Sequence, residues 1–440
     1  GNPMKKVLIL AYDFPPYVSV GGLRPYSWYK YFHEFGVHPV VVTRQWCNKY
    51  GNYLDYVAAS ESNKTIIEES EHGTIIKTPY KPNLANRIML RYGKERFVFL
   101  RKILSAYSEY FQWFVLIGSK SGLYFGAKEY LINNSVDYIL ATGSPFILFK
   151  YASMLSNRFN IKWIADYRDP WSHTSTRSKN TLIKKFNMYL EKKCMKNVYK
   201  IVTVSEFVKC KIQSLIKNKS IIVIPNGYDQ DIISATSNVQ QNPDVFSIGL
   251  AGTIYPWHSM KSILRVINQV VINGYEMKLN LYGINIEKNI NTWIKSDFPA
   301  LNEFVQIYSR MPNKDLLEKL ASNNALLLLN YYSFMGTKIY DYLGIKRKIL
   351  FCFSNDSESL VLKNKFFPAE KIHGISESLQ EELINETNSG IIVEDIYKLK
   401  DVIINLIIEH KKSKTITCDS INYVQFSRIK QAEEYCNLFS

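Results

Sequence analysis

The sequence predicts an α/β protein of two similar-sized lobes, each built on a parallel sheet, because the same kind of fold unit begins twice. Residues 5–11 (KKVLILA) form a short apolar run leading into a loop that ends in Gly21-Gly22, and residues 246–252 (FSIGLAG) form another, leading towards a helix near Met260. A buried strand, a glycine-bearing turn and a helix whose N-terminus can face an anion are the opening parts of a nucleotide-binding βαβ unit. Two such starts, some 240 residues apart in a chain of 440, place a ligand between two lobes. Length agrees, since 440 residues suit two domains better than one.

In the first half, apolar runs at 5–11, 39–43, 74–78, 137–141, 163–166, 201–204 and 221–224 read as strands. Helical periodicity lies between them, as at 26–35, where Gly36 supplies a C-terminal cap. Apolar strands alternating with helices indicate a sheet covered on both faces. Residues 234–244 (SATSNVQQNPD) are polar and aperiodic, which marks a linker. The second half repeats the pattern, with strands expected at 247–251, 278–282, 304–307, 325–330, 349–353 and 390–393 and helices at 260–273, 314–321, 338–343, 357–364 and 398–411. A further amphipathic helix at 420–438 exceeds what the second sheet needs. The domains are therefore 4–233, completed by 420–440, then the linker 234–244, then 245–419.

An apolar fraction of 46% excludes general disorder, and no run of 18 apolar residues suggests a membrane span. The apolar stretch at 7–11 is too short for a signal peptide, and Gly1-Asn2-Pro3 ahead of Met4 reads as a cloning remnant. Six cysteines (47, 194, 210, 352, 418 and 436) without CxxC spacing read as reduced thiols of a cytoplasmic protein. The net charge of +16 is localised: residues 77–130 hold ten basic and three acidic side chains, and 177–220 hold twelve and two. The first half faces something anionic, for which nucleic acid, a membrane surface and a phosphorylated substrate all qualify.

Four segments can carry chemistry, and a fifth stands out only as a turn. In 13–24 (DFPPYVSVGGLR), two prolines fix an extended path, Gly21 and Gly22 permit close backbone approach, and Arg24 stands near a helix start. A glycine-rich turn with solvated side chains explains the same residues equally well. In 166–171 (DYRDPW), Asp166 and Asp169 flank Arg168 at a strand's carboxyl end, where parallel sheets bind ligands, so the pair can orient a hydroxyl or act as base; a turn-stabilising salt bridge is the alternative. PNGYD at 225–229 reads as a connecting turn. In 251–262 (AGTIYPWHSMKS), Gly252 allows a tight turn, Ser259 can cap a helix, Lys261 is a phosphate-ligand candidate and His258 is a packed side chain. The most specific is 333–344 (SFMGTKIYDYLG): Gly336 and Thr337 open a short helix, Lys338 adds charge, and Asp341 can accept two hydrogen bonds from a ribose diol. The competing explanation is a surface helix with an i, i+3 Lys–Asp pair.

In order, FPPYVSVGGLRP, the basic aromatic middle with Trp113, ATGSPF (141–146), WIADYRDPW, TVSE (203–206), IPNGYD, LAGTIY and GTKIYDYL make the chain resemble glycosyltransferase family 4 (group 1) enzymes of the GT-B fold, bacterial surface-polysaccharide branch, over nearly its whole length. The resemblance implies two Rossmann-like domains facing a central cleft, the C-terminal one holding a nucleotide sugar, with the last helix crossing back onto the N-terminal domain. It implies retaining, metal-independent transfer in which Lys261, Lys338 and the Gly336–Thr337 amides stabilise the departing diphosphate; the nucleotide sugar is a substrate, and no cofactor is implied. Gly21, Gly22, Arg24 and Gly252 complete the donor side. Many members carry two glutamates eight residues apart; here the second position is Asp341 and the first is Ser333, so a carboxylate contact to the donor sugar is missing. The usual arginine before the C-domain lysine is missing too, with Thr253 following Gly252.

The N-terminal domain binds the acceptor in such enzymes. Residues 77–130 interleave their ten basic side chains with twelve aromatic ones. Arg101, Lys102 and Trp113 are the candidates there for a lipid-linked glycan acceptor and for peripheral binding to an anionic membrane on its cytoplasmic face. A sugar-nucleotide 2-epimerase shares this architecture but needs acid/base groups that are not evident in the sequence. Zinc, helix-turn-helix and RNA-binding signatures are absent from the sequence, so nucleic acid is not an expected partner.

Overall fold

The computed structural model describes residues 4–46, 56–173, 181–368 and 371–440. Cys47 and the first basic residues of the second charged stretch, Arg177 and Lys179, lie outside the described residues. The other five cysteines are unpaired. Two compact units form, one from the residues up to Pro225 with Ile429–Ser440, the other from Asn226–Arg428.

The first unit holds β1 (Lys5–Leu10), β2 (Val37–Arg44), β3 (Ile66–Glu69), β4 (Thr74–Thr78), β5 (Tyr138–Gly143), β6 (Lys162–Tyr167), β7 (Lys200–Thr203) and β8 (Ile221–Val223). They form one sheet in the order β3-β4-β2-β1-β5-β6-β7-β8. All pairings are parallel except β3 with β4. The edge strand β3, exposed throughout, escapes a reading that looks for buried runs. The interior strands are apolar on both faces because helices cover both, and Val7, Ile9, Leu140 and Ile164 are fully buried. The first helix spans Val20–Tyr31 rather than starting at residue 26, because Ser19 caps it by accepting the Gly21 N–H at 3.1 Å. Gly21, Gly22 and Arg24 therefore lie inside its first turns.

The second unit holds β9 (Phe246–Ala251), β10 (Met277–Tyr282), β11 (Val305–Tyr308), β12 (Ala325–Leu329), β13 (Lys348–Cys352) and β14 (Gly390–Val393), in the order β11-β10-β9-β12-β13-β14. Every pairing is parallel. Strand order reverses between β9 and β12 here and between β1 and β5 in the first unit, so each sheet opens a crevice at the carboxyl ends of those strands. Both units are Rossmann-like, as the doubled strand–glycine–helix start predicted.

Two boundaries differ from expectation. Residues 234–244 are no free linker: the helix Gln230–Thr236 is capped by Asp229, and the Gln241 side chain exchanges hydrogen bonds with the Ile416 backbone at 2.9 and 2.8 Å. Polar composition there serves docking within the second unit, so the division falls at Pro225 instead of residue 233. The terminal helix is Arg428–Asn437, not 420–438. The residues before it run as irregular chain and a 3-10 turn, with Asn422 in the left-handed region. Beyond Arg428 the chain does return to the first unit, where Ala432, Tyr435 and Phe439 enter its core.

Candidate functional site

In the second unit, the loops after β9 and β12 meet at the switch point. Gly252 has φ of +90°, and a Cβ there would lie 2.8 Å from Lys338 Cε, so the turn packs directly on that lysine. Only glycine allows both the dihedral and the approach. His258 joins the two loops: its Nδ1 accepts the Tyr255 N–H at 3.1 Å and its Nε2 donates to the Asn330 carbonyl at 3.0 Å. Burial and the nearby Lys338 charge push its pKa down to about 3, so the imidazole is neutral and positions backbone rather than moving protons. Gln380 braces the second loop, accepting the Tyr331 N–H at 2.9 Å and donating to the Met335 carbonyl at 3.0 Å.

That loop delivers Gly336, at φ of +70°, and Thr337 to the start of the helix Lys338–Ile345. No side chain caps this helix; the Tyr340 N–H turns back on the Thr337 carbonyl at 3.2 Å, and the Lys338 and Ile339 N–H groups are the ones open to a ligand. Lys338 makes one long hydrogen bond, to the Thr253 carbonyl at 3.5 Å, and burial lowers its pKa to about 8. Asp341 follows one turn later; burial raises its pKa to about 7 despite the opposing charge of Arg428, with Asp229 reinforcing the rise. Among the described residues no Lys338–Asp341 ion pair forms, which removes the surface-pair explanation. A cation, free amides and a carboxylate on one helix suit a diphosphate followed by a ribose diol.

Two expected members are elsewhere. Lys261 is nearly half exposed and pairs with Asp297 at 3.1 Å, so it is a surface ion pair and not a phosphate ligand. Ser259 does not cap its helix; its hydroxyl is turned onto Ser359, whose N–H and hydroxyl engage Asp356. Ser333 is buried where the resemblance leads one to expect a glutamate.

The first unit's switch point holds a cavity of about 790 Å³, lined by Asp13 after β1, Ser144–Phe146 after β5, and Arg168 and Trp171 after β6. Trp113 lies in its wall, stacked on Trp171 at 5.2 Å, and Phe146 stacks on the same ring at 5.1 Å and 1°. Gly21 lines it as well; a Cβ there would lie 2.2 Å from Arg168 Nη1 and 2.9 Å from Asp13 Oδ2. Glu191 fixes the 167–172 loop, accepting from Tyr167 at 2.8 Å and the Ser172 N–H at 3.1 Å.

The predicted pair Asp166 and Arg24 is closed to ligands. Asp166 is fully buried and accepts from Arg24 Nη2 at 2.9 Å, Thr142 at 2.8 Å and the Tyr435 hydroxyl. Arg24 spends its remaining donors on Pro225 at 3.1 Å and on Tyr435 at 2.9 Å. Asp166 is thus no base and Arg24 no diphosphate ligand: both tie the terminal helix to the sheet. Asp169 is exposed and lies outside the cavity lining. Arg101 bends back onto the Arg96 and Lys94 carbonyls, and Lys102 is exposed; both sit on the helix Val98–Phe111. Asp13, Tyr435, Glu191 and Gln380 were not among the sequence candidates. Only Asp13 had a signal, its place directly after the first strand.

Residues 26–232 match the model of Glycosyltransferase Family 4. No curated protein sequence matches the chain. Among solved structures it is similar to a sucrose-phosphate synthase from Thermosynechococcus elongatus (14% identity, 99% of this chain and 94% of that one, TM-score 0.58). It is similar too to an alpha,alpha-trehalose-phosphate synthase (UDP-forming) from Burkholderia xenovorans in complex with glucose-6-phosphate (9%, 99% and 100%, 0.62). A third is HepE of Anabaena in complex with UDP-glucose (11%, 98% and 98%, 0.56). At those identities the likeness is one of fold, and that fold is GT-B. Residues 26–232 are thus a Glycosyltransferase Family 4 domain, set in a chain that has the GT-B fold along its length and is a glycosyltransferase.

Proposed function

We propose that the protein is a retaining, metal-independent glycosyltransferase of bacterial surface-polysaccharide synthesis, moving a sugar from a nucleotide-sugar donor to a lipid-linked glycan acceptor. The observation that carries the donor assignment is the helix Lys338–Ile345, which unites an uncapped N-terminus, a Lys338 that has no ion pair among the described residues, and Asp341. In this reading the amides and Lys338 meet the negative charge that develops on the departing diphosphate, and Asp341 holds the ribose. The reaction needs no cofactor. Uridine as the base is supported by the relatives of like fold that hold UDP or UDP-glucose.

The acceptor belongs to the first unit. There the helix Val98–Phe111 has no buried residue and exposes Phe99, Ile103, Tyr107 and Tyr110, while residues 84–117 carry six basic and two acidic side chains. An apolar face rimmed by lysine and arginine suits an anionic lipid surface. Among the described residues no helix is long and apolar enough to cross a membrane, so attachment in this reading is peripheral and on the cytoplasmic face. Of the predicted carboxylate pair, Asp169 is the one exposed on its loop, and in this reading it faces the acceptor.

A thermal-shift panel of UDP, GDP, ADP and CMP tests the donor site. One nucleotide is expected to raise the melting temperature, and Lys338→Ala or Asp341→Ala to abolish both that shift and transfer while the protein stays folded. Full activity in both variants overturns the assignment.

A further inference from the structure

The second unit holds a cavity of about 370 Å³ at the far end of the helix Lys338–Ile345, within the roughly 300–1,000 Å³ of small-molecule sites. Lys338 and Asp341 take no part in its lining; Gly344 and Ile345, at the other end of their helix, do. Lys346 and Arg347 follow in the same wall, and Lys346 stands eight positions past Lys338, about 12 Å along a helix. The helix Gln230–Thr236 and Tyr423 form the other sides. The floor is tightly packed, since a Cβ at Gly344 would lie 2.9 Å from Ile233 and 3.0 Å from the Tyr228 ring.

Two adjacent cations line this cavity, and among the described residues no carboxylate does. Arg347 gives Nε to the Ala321 carbonyl and Nη2 to the Val239 carbonyl, both at 2.8 Å. Those bonds fix the guanidinium and leave Nη1 unbonded among the described residues. Burial pushes the Arg347 pKa down, and what opposes the shift is the Cys418 thiol rather than a carboxylate. Lys346 lies in the left-handed region at φ of +61°, where glycine or asparagine is the usual choice. Its ammonium sits 4.2 Å from the centre of the Tyr423 ring. Asp229, between two residues of the lining, caps its helix instead, accepting the Asp231 N–H at 3.1 Å. Two cations in one wall repel each other until an anion joins them, and a phosphomonoester carries close to two negative charges at neutral pH. The hydroxyls of Ser234 and Ser237 donate to the Asp231 and Ser234 carbonyls at 2.9 and 2.7 Å, so towards the cavity they can only accept. Acceptors beside a cationic wall suit a ligand that carries hydroxyl groups next to its phosphate.

We propose that this cavity is a second ligand site, for a sugar phosphate whose phosphoryl group is held by Lys346 and Arg347 and whose hydroxyls donate to Ser234 and Ser237. The site stands apart from the donor reading, because it uses neither Lys338, nor Asp341, nor the start of their helix.

Isothermal titration calorimetry of the full chain tests the site, with glucose 6-phosphate, glucose 1-phosphate, inorganic phosphate and glucose as probes. At least one sugar phosphate is expected to bind ten times or more tighter than inorganic phosphate and than glucose. Lys346→Glu is expected to weaken it thirtyfold or more. Ser234→Ala is expected to weaken it about threefold while the affinity for inorganic phosphate stays the same. Both positions are exposed, so the melting temperature should hold in each variant. Lys338→Ala is expected to leave sugar-phosphate binding intact. No sugar-phosphate binding, unchanged affinity in Lys346→Glu, or equal affinity for inorganic phosphate overturns the inference. Loss of sugar-phosphate binding in Lys338→Ala overturns it too, by placing the ligand at the other end of the helix. Nucleotide binding by the same variants is a separate measurement, so the failure of this site leaves the donor reading standing.

Discussion

Both units place a carboxylate and a cation near the switch point of a parallel sheet, and the two pairs have opposite fates. In the first unit Asp166 and Arg24 face each other, with Thr142, Tyr435 and Pro225 filling the remaining bonds. In the second, Lys338 and Asp341 share one helix and do not pair, and burial moves the ordinary pKa of each towards neutrality. A closed pair anchors structure. A pair left apart at an uncapped helix end keeps its charges available, which is why one pair is assigned to folding and the other is proposed for binding.

The largest effect that separates them is on stability. Asp166→Ala leaves Arg24 buried without its counter-charge and should cost about 3–5 kcal/mol in urea unfolding. Lys338→Ala should leave the unfolding midpoint unchanged or higher, since it removes a desolvated charge, while nucleotide affinity collapses. Equal destabilisation by both erases the distinction.

A second effect is on pH dependence. Asp341 must be ionised to accept from a ribose diol, and Lys338 must be protonated to hold a diphosphate. With pKa values of about 7 and about 8, nucleotide affinity should rise as pH passes upward through 7 and fall as it passes 8. Calorimetric titration from pH 5.5 to 9.5 checks this, and Asp341→Asn should flatten the acid limb. A flat profile removes Asp341 from the site.

The smallest effect concerns the turn beneath the lysine. Gly252→Ala adds a methyl at φ of +90° and 2.8 Å from Lys338 Cε. A cost of about 1 kcal/mol in stability is expected from the backbone alone, with a several-fold loss of nucleotide affinity as the ammonium is displaced. Unchanged affinity means the lysine is not where it is needed.

How far the sequence reached differs between the same two places. The helix proposed to hold the donor was legible as a helix because its parts are local: Gly336, Thr337, Lys338 and Asp341 fall within six residues, and helical spacing fixes their relation. Lys261 looked equivalent by the same logic, yet Asp297, 36 positions on, takes its charge. Arg24 and Asp166 were misread because Tyr435, from the far end of the chain, completes their network. The aromatic wall could be suspected from Trp113, but not its stacking on Trp171 and Phe146.

The sequence by itself determined the two Rossmann-like units and the helix that starts at Lys338, since buried strand runs, glycine turns and helical spacing are written in neighbouring residues. Which charged groups stay open to a ligand was decided only by the tertiary structure. Pairing depends on partners brought together from tens to hundreds of residues away, and no local pattern records them.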